Sequence, residues 1–152
     1  MTIVHETIVL ERHYDATPER VFRAFSDAGA KAQWFPGHSP GWVVQQERTF
    51  DFREGGVETS AVGPAGGEPF HYTARYHDIV PNLRIILAYD MVHAGRRISV
   101  STQSIELTGE NGGTRLVLTD QGAYLDGLDV PRARRGGLAE ELDQLGKALT
   151  TP

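Results

Sequence analysis

The chain has 152 residues, no cysteine and a formal net charge of −5. This length fits one domain, so residues 1–152 are interpreted as a single domain whose core is large enough to contain a cavity. The lack of cysteine excludes disulfides and thiolate zinc sites, and the acidic balance argues against a nucleic-acid partner. No apolar run is long enough to cross a membrane, and the N-terminus does not resemble a signal peptide, so we expect a cytoplasmic protein.

The first 36 residues predict one strand followed by two short helices. Residues 2–14 alternate apolar and polar side chains, as a half-buried strand does. The threonine and proline that follow are typical of a helix N-terminus, so a helix is predicted over residues 18–26. A second short helix is predicted over residues 28–35, with Pro36 ending it.

Six further segments have the composition of β-strands. Short turn sequences rich in glycine, proline and asparagine separate them, and such short connections indicate antiparallel neighbours. The predicted strands cover residues 41–53, 57–62, 70–80, 83–93, 96–107 and 114–120.

The C-terminal segment predicts one long helix over residues 131–150. Its leucines recur on one face of the helix, at Leu138, Leu142, Leu145 and Leu149. The pair Gly136-Gly137 in its first half predicts a kink or a close approach of another segment. An antiparallel sheet and a helix with one apolar face pack across each other, and the arrangement leaves a space between them.

Several local phrases occur in the same order as in a known superfamily. They are "ERHYDATPERVFRAFSD", "WF…GW", "DFREGG", "YHDIVPNLRIILAYDM", "GGTRLVLTDQGAYLDGLD" and the spacing of Arg134, Gly137 and Leu145. The chain thereby resembles the START-like (SRPBCC, helix-grip) superfamily, and more closely the family named after the activator of the heat-shock-protein-90 ATPase. The resemblance implies an α+β helix-grip fold. In that fold a curved seven-stranded antiparallel sheet wraps a long C-terminal helix, with two short helices after the first strand.

The resemblance also implies a hydrophobic cavity beneath the C-terminal helix that holds a small apolar or amphipathic molecule. Aromatic residues are the candidates for its wall, since tyrosine and tryptophan combine an apolar body with a polar group that needs a partner. The alternative is that they pack as an ordinary core. The candidate ligand-binding residues are Trp34, Trp42, Tyr72, Tyr76, Tyr89, Met91, Tyr124, Leu138 and Leu142.

No residue is assigned a catalytic, metal-binding or cofactor-binding role. His71 and His77 share a strand face but lie about 20 Å apart along it, so they cannot bind one ion. Residues 37–41, "GHSPG", match the G-x-S-x-G pattern of hydrolases. However, a helix precedes them and a strand follows, and Pro40 lacks the N–H that an oxyanion hole requires, so we interpret them as a loop.

The stretch "TDQGAYLDGLD", residues 119–129, predicts a flap over one end of the cavity. The last strand is expected to end at Asp120, with Gly122 turning the chain through a positive φ and a second turn at residues 126–127. Tyr124 at the tip would then cover the cavity. Asp129 is expected to cap the C-terminal helix, and Asp126 or Asp129 to pair with Arg134 or Arg135.

The main hypothesis is therefore a non-enzymatic protein that binds a small apolar or amphipathic molecule, without a cofactor. One alternative is a cyclase- or hydrolase-like enzyme in which Tyr72, Tyr89 or Tyr124 polarises a carbonyl group. The other is a co-chaperone or stress-related protein-interaction module. A homodimer is left open, and neither nucleic acid nor a membrane is an expected partner.

Overall fold

A computed structural model describes residues 2–36 and 40–151. The elements are β1 (Ile3–Tyr14), α1 (Pro18–Ser26), α2 (Ala28–Lys31), β2 (Trp42–Phe50), β3 (Val57–Pro64), β4 (Phe70–Val80), β5 (Arg84–His93), β6 (Arg96–Glu110), β7 (Gly113–Leu125) and α3 (Pro131–Leu149). The predicted fold class is confirmed, because a curved seven-stranded antiparallel sheet wraps the C-terminal helix and two short helices follow β1.

The sheet has the order β1-β7-β6-β5-β4-β3-β2, with every neighbouring pair antiparallel. From β2 to β7 each strand lies beside the next one along the chain, as their short connections require. Strand β1 is the exception, because it pairs with β7 and places Ile3 opposite Leu125. The long connection through α1 and α2 therefore links the two edges of the sheet.

Helix α3 packs on the sheet through its leucines. Leu138, Leu142, Leu145 and Leu149 are all buried, as the sequence predicts. The Tyr14 hydroxyl of β1 also donates a hydrogen bond to the carbonyl oxygen of Leu142 at 2.7 Å. The close approach predicted at the glycine pair is wrong, since a Cβ atom added at Gly136 or Gly137 would meet nothing within 4 Å.

The two short helices begin where their capping residues predict. The Thr17 hydroxyl accepts a hydrogen bond from the Arg20 N–H at 3.2 Å, and the Asp27 carboxylate accepts one from the Ala30 N–H at 2.9 Å. Helix α2 ends at Lys31, four residues before the predicted end. The backbone there tightens into turns, and the Lys31 carbonyl accepts hydrogen bonds from the two residues at positions 34 and 35.

No helix in the described ranges, 2–36 and 40–151, is long and apolar enough to cross a membrane. The G-x-S-x-G pattern at residues 37–41 falls largely on residues 37–39, which lie outside the described residues.

Candidate ligand-binding cavity

A cavity of about 350 Å³ lies between α3 and the inner face of the sheet. Every candidate residue from the sequence lines it except Tyr124. The lining candidates are Trp34, Trp42, Tyr72, Tyr76, Tyr89, Met91, Leu138 and Leu142. That these side chains bind a ligand remains a prediction.

Aromatic rings in edge-to-face or tilted contact form one wall of the cavity. Phe35 contacts Tyr72 with ring centroids 5.2 Å apart, and Tyr72 contacts Tyr89 at the same separation. Trp34 packs against Phe35 at 5.9 Å, and its indole N–H donates to the carbonyl oxygen of Ala24 at 2.9 Å. The polar edge of Trp34 is thus satisfied by the backbone, so Trp34 offers a ligand only apolar surface.

Trp42 lies at the rim of the cavity rather than deep in its wall. Trp42 is 38% exposed, and its ring stacks on Phe70 with centroids 5.4 Å apart. Phe70 in turn stacks on His93 at 4.1 Å. This three-ring stack supports the exposed rim without filling the space behind it.

A buried polar group, which we call the lysine cluster, lies in the cavity wall and consists of Lys31, Glu58, Ser60 and Tyr76. The Lys31 ammonium donates to Glu58 Oε1 at 2.7 Å and to the Tyr76 hydroxyl at 3.2 Å, and Tyr76 donates to Glu58 Oε1 at 2.5 Å. Lys31 and Glu58 are 4% and 0% exposed, so the ion pair is almost fully removed from water. The contacts of the pair with each other and with Tyr76 compensate for part of that desolvation, while Glu58 Oε2 has no hydrogen-bond partner within residues 2–36 and 40–151.

Burial is the main electrostatic influence on this cluster. It lowers the pKa of the Lys31 amine, and the adjacent Glu58 carboxylate offsets part of this effect. Burial also raises the pKa of the Tyr76 hydroxyl, and Glu58 raises it further. The Lys31 ammonium lies 4.5 Å from the ring centroid of Phe35 and 5.4 Å from that of Phe50, so aromatic faces replace part of its lost hydration.

A second polar group, the arginine cluster, contains Arg134, Tyr89, Asp120, Asp129 and Ser99. Arg134 of α3 donates to Asp129 Oδ2 at 2.6 Å, to the Ser99 hydroxyl at 2.7 Å and to the Tyr89 hydroxyl at 2.9 Å. Tyr89 donates to Asp120 Oδ2 at 2.5 Å. These bonds join the N-terminal part of α3 to the centre of the sheet.

Two of the cavity tyrosines use their hydroxyl groups in hydrogen bonds to the protein itself, which the sequence does not predict. The sequence hypothesis left these hydroxyls for a ligand, but Tyr76 and Tyr89 each donate to a buried carboxylate. Tyr89 also accepts from Arg134, so it is poorly placed to polarise a bound carbonyl. Of the three tyrosines considered for an enzyme, Tyr72 alone lines the cavity without a role in either polar cluster.

The predicted flap at residues 119–129 is wrong, because β7 continues to Leu125. Gly122 lies within the strand without a positive φ, opposite Glu6 and Ser101. A Cβ atom at Gly122 would lie 2.8 Å from Cε2 of Tyr124, so glycine is needed there because the Tyr124 ring folds over the backbone. Tyr124 is 1% exposed and does not line the cavity.

The aspartates of this stretch anchor the chain, as the sequence predicts. Asp126 and Gly127 form the predicted turn, both with positive φ, and the Asp126 carboxylate accepts a hydrogen bond from the Thr2 N–H at 3.1 Å. Asp129 forms the predicted pair with Arg134. The predicted cap is wrong, since Val130 is the N-cap residue of α3 and the Asp129 side chain is held by Arg134 instead.

We expect Tyr124→Phe to leave the free energy of unfolding unchanged or to raise it by up to about 1 kcal/mol, because the buried Tyr124 hydroxyl has no hydrogen-bond partner in the described residues. Tyr14→Phe is the matched control. The Tyr14 hydroxyl donates to Leu142, so its loss should cost about 1 kcal/mol. Urea unfolding measures both variants. An equal loss in the two would mean that the Tyr124 hydroxyl is hydrogen-bonded.

No group of histidine and carboxylate side chains that could hold a metal ion occurs in residues 2–36 and 40–151. His77 is exposed on β4, while Ala74 and Tyr76 are buried. This alternation places His77 on the outward face of β4.

The polar clusters are the part of the site that sequence reasoning missed. Glu58 and Ser60 lie on either side of Thr59 in β3. Because successive side chains of a strand point to opposite faces, the sequence places both on one face. A carboxylate on an inner face requires a cationic partner, which is a usable signal. Nothing in the sequence indicates that this partner is Lys31, which precedes Glu58 by 27 residues.

Comparison with known proteins agrees with this architecture. Residues 15–150 match the protein family described as "Activator of Hsp90 ATPase homolog 1-like protein". The chain belongs to this family. The match covers all elements of the cavity, since α1 to α3 and β2 to β7 lie within it. No curated protein matches the chain.

Solved structures from bacteria resemble this family member over nearly its whole length. An uncharacterized protein from Rhizobium leguminosarum is 42% identical, with a TM-score of 0.93, and the alignment covers 99% of this chain and 98% of that one. A protein from Rhizobium loti is 36% identical, with a TM-score of 0.89 and coverage of 97% and 99%. A protein from Chromobacterium violaceum is 31% identical, with a TM-score of 0.80 and coverage of 96% and 97%.

Proposed function

We propose that this protein binds a small apolar or amphipathic molecule in the cavity between α3 and the sheet. The observation that carries the proposal is the cavity itself, because about 350 Å³ of space bounded by aromatic and aliphatic side chains lies within the size range of small-molecule sites. A core whose only role was stability would gain by filling this space, since each unfilled volume forfeits packing contacts.

The composition of the wall supports an amphipathic ligand. Rings such as Phe35 and Tyr72 supply apolar surface, while Lys31 and Arg134 place polar groups at the same cavity. A few polar groups in a mainly apolar wall are what fixes the orientation of a bound small molecule. Such a molecule would bury its apolar body against the rings and direct its polar group towards one of the two clusters.

Filling the cavity from Gly137 tests this proposal. Gly137 is an exposed residue that lines the cavity, and a Cβ atom there would meet nothing within 4 Å, so a leucine side chain has room to cover the opening without a backbone clash. We expect Gly137→Leu to raise the Kd of a naphthalene dye at least about tenfold, because the added side chain obstructs the opening and removes space beside the bound ring. Thermal stability should rise, since leucine is favoured over glycine in a helix by about 1 kcal/mol.

Gly136→Leu is the control, because it makes the same change in the same helix outside the cavity lining. It should gain helix stability in the same way and bind the dye as the natural protein does. Fluorescence titration gives both dissociation constants. Equal dye binding by the two variants would place the dye elsewhere and remove the basis of the proposal.

A further inference from the structure

The lysine cluster contains a hydroxyl group that the protein itself leaves without a partner. Ser60 lines the cavity and is 5% exposed, and its Oγ atom makes no hydrogen bond within residues 2–36 and 40–151. Ser60 lies directly opposite Tyr72 in the β3–β4 pair, so it belongs to the same wall as the aromatic rings. A buried hydroxyl without a partner costs free energy that a bound molecule can recover by hydrogen bonding to it.

The side of the lysine cluster that faces the cavity carries hydrogen-bond donors. Lys31, Ser60 and Tyr76 line the cavity, whereas Glu58 does not. The Glu58 carboxylate lies behind them and accepts from Lys31 and Tyr76 through Oε1. A ligand in the cavity therefore contacts an ammonium group and a serine hydroxyl, whereas the Glu58 acceptor lies behind them. This arrangement favours a ligand group that accepts hydrogen bonds and does not donate one.

The charges around Lys31 are already balanced. Glu58 pairs with it directly, and the more distant charges that act on it are Arg48 and Glu141, one of each sign. Glu140 and Glu141 also line the cavity. A ligand carboxylate would add a buried anion beside these glutamates while Lys31 is already paired with Glu58, which is costly in an apolar site.

We propose that the lysine cluster recognises the carbonyl oxygen of an uncharged ligand, with Ser60 as the specific donor; this inference rests on the proposed binding function. A ketone, aldehyde or neutral ester supplies two lone pairs and no net charge. Its apolar part then lies against Phe35 and Tyr72. The class of ligand is thus a neutral aromatic or aliphatic carbonyl compound rather than a fatty acid.

Three probes of similar size separate the contribution of the carbonyl group to binding from the contributions of charge and apolar area. They are methyl naphthyl ketone, naphthoate and ethylnaphthalene. Isothermal titration calorimetry on the complete protein gives the three dissociation constants. The ketone should bind most tightly, and naphthoate should bind at least about tenfold more weakly, since its charge is left unpaired. Naphthoate binding as tightly as the ketone would overturn the inference.

Ser60→Ala isolates the hydrogen bond. We expect the substitution to raise the Kd of the ketone by about 3- to 10-fold, as the loss of one neutral hydrogen bond predicts. The Kd of ethylnaphthalene should stay unchanged. Thr59→Val is the matched control, because it removes a hydroxyl from the opposite face of the same strand, and it should change neither constant. Unchanged ketone binding in Ser60→Ala would overturn the carbonyl inference but not the proposed binding function. Failure of all three probes to bind the natural protein would refute both.

Discussion

Raising the pH above about 10 is expected to unfold this protein steeply, because its tyrosines are buried as neutral phenols. Burial raises the pKa of four tyrosines well above the ordinary value of 10.0, namely Tyr14, Tyr72, Tyr76 and Tyr89. It also raises the pKa of Tyr124 to about 12. In the unfolded chain these groups ionise near the ordinary value, so only the folded protein holds their protons above it.

The direction of the effect follows from proton binding. Below pH 10 the phenols are neutral in both states, and their contribution to stability is complete. As the pH rises further, the unfolded chain releases protons that the folded protein retains, and the free energy of unfolding falls by about 1.4 kcal/mol per tyrosine and pH unit. Between about pH 10 and 12 the five tyrosines together remove about 7 kcal/mol per pH unit, which is comparable with the 5–15 kcal/mol typical of a domain.

The titration of Lys31 has the opposite effect on the free energy of unfolding, but it involves only one proton. Its pKa is lowered from 10.5 by burial, so between its folded value and 10.5 the unfolded chain binds the extra proton and stability rises with pH. Urea unfolding at a series of pH values, followed by tyrosinate absorbance, measures the sum. Tyr14→Phe should make the decline above pH 10 shallower by one proton, and a decline of unchanged steepness would show that Tyr14 is not buried as a phenol.

Lys31→Met is expected to destabilise the protein by about 3–5 kcal/mol. The substitution leaves the Glu58 carboxylate buried with only the Tyr76 hydroxyl as a donor, and an uncompensated buried charge costs far more than a lost surface ion pair. Chemical denaturation at neutral pH gives the change in the free energy of unfolding. A loss below about 1 kcal/mol would contradict the buried ion pair.

Two variants separate charge from side-chain volume. The chain contains only two lysines, and Lys147 is exposed in the last turn of α3, so Lys147→Met should change stability by no more than about 0.5 kcal/mol. The double variant Lys31→Met with Glu58→Gln removes both buried charges and retains an acceptor for Tyr76. It should recover most of the stability that the single variant loses, because neither charge is then left unpaired.

The fold could be predicted because its signals are local. Thr17 and Asp27 begin their helices by accepting backbone N–H groups of residues three positions ahead. The leucines of α3 share one face at helical spacing, and the short turns between strands leave antiparallel pairing as the simple solution. Local signals misplace the end of β7 for the same reason. Gly122 is a residue typical of turns, whereas in the structure it lies within the strand and leaves room for the Tyr124 ring.

The site was less predictable because its polar contacts join distant parts of the chain. Aromatic type and strand alternation indicate which residues face the interior, and this was sufficient for the cavity lining apart from Tyr124. The choice of Lys31 as the partner of Glu58, and of Arg134 as the partner of Tyr89, depends on how α2 and α3 lie against the sheet. No local pattern encodes that arrangement.

The pairing of β1 with β7 has a consequence for how the chain folds. The strands from β2 to β7 need only neighbouring hairpins, and such local contacts form early because little chain entropy opposes their closure. Strand β1 has no partner until β7 exists, since Ile3 pairs with Leu125. During synthesis the native partner of β1 is therefore absent until residues 113–125 have been made, so β1 cannot complete its pairing before β7 is in place.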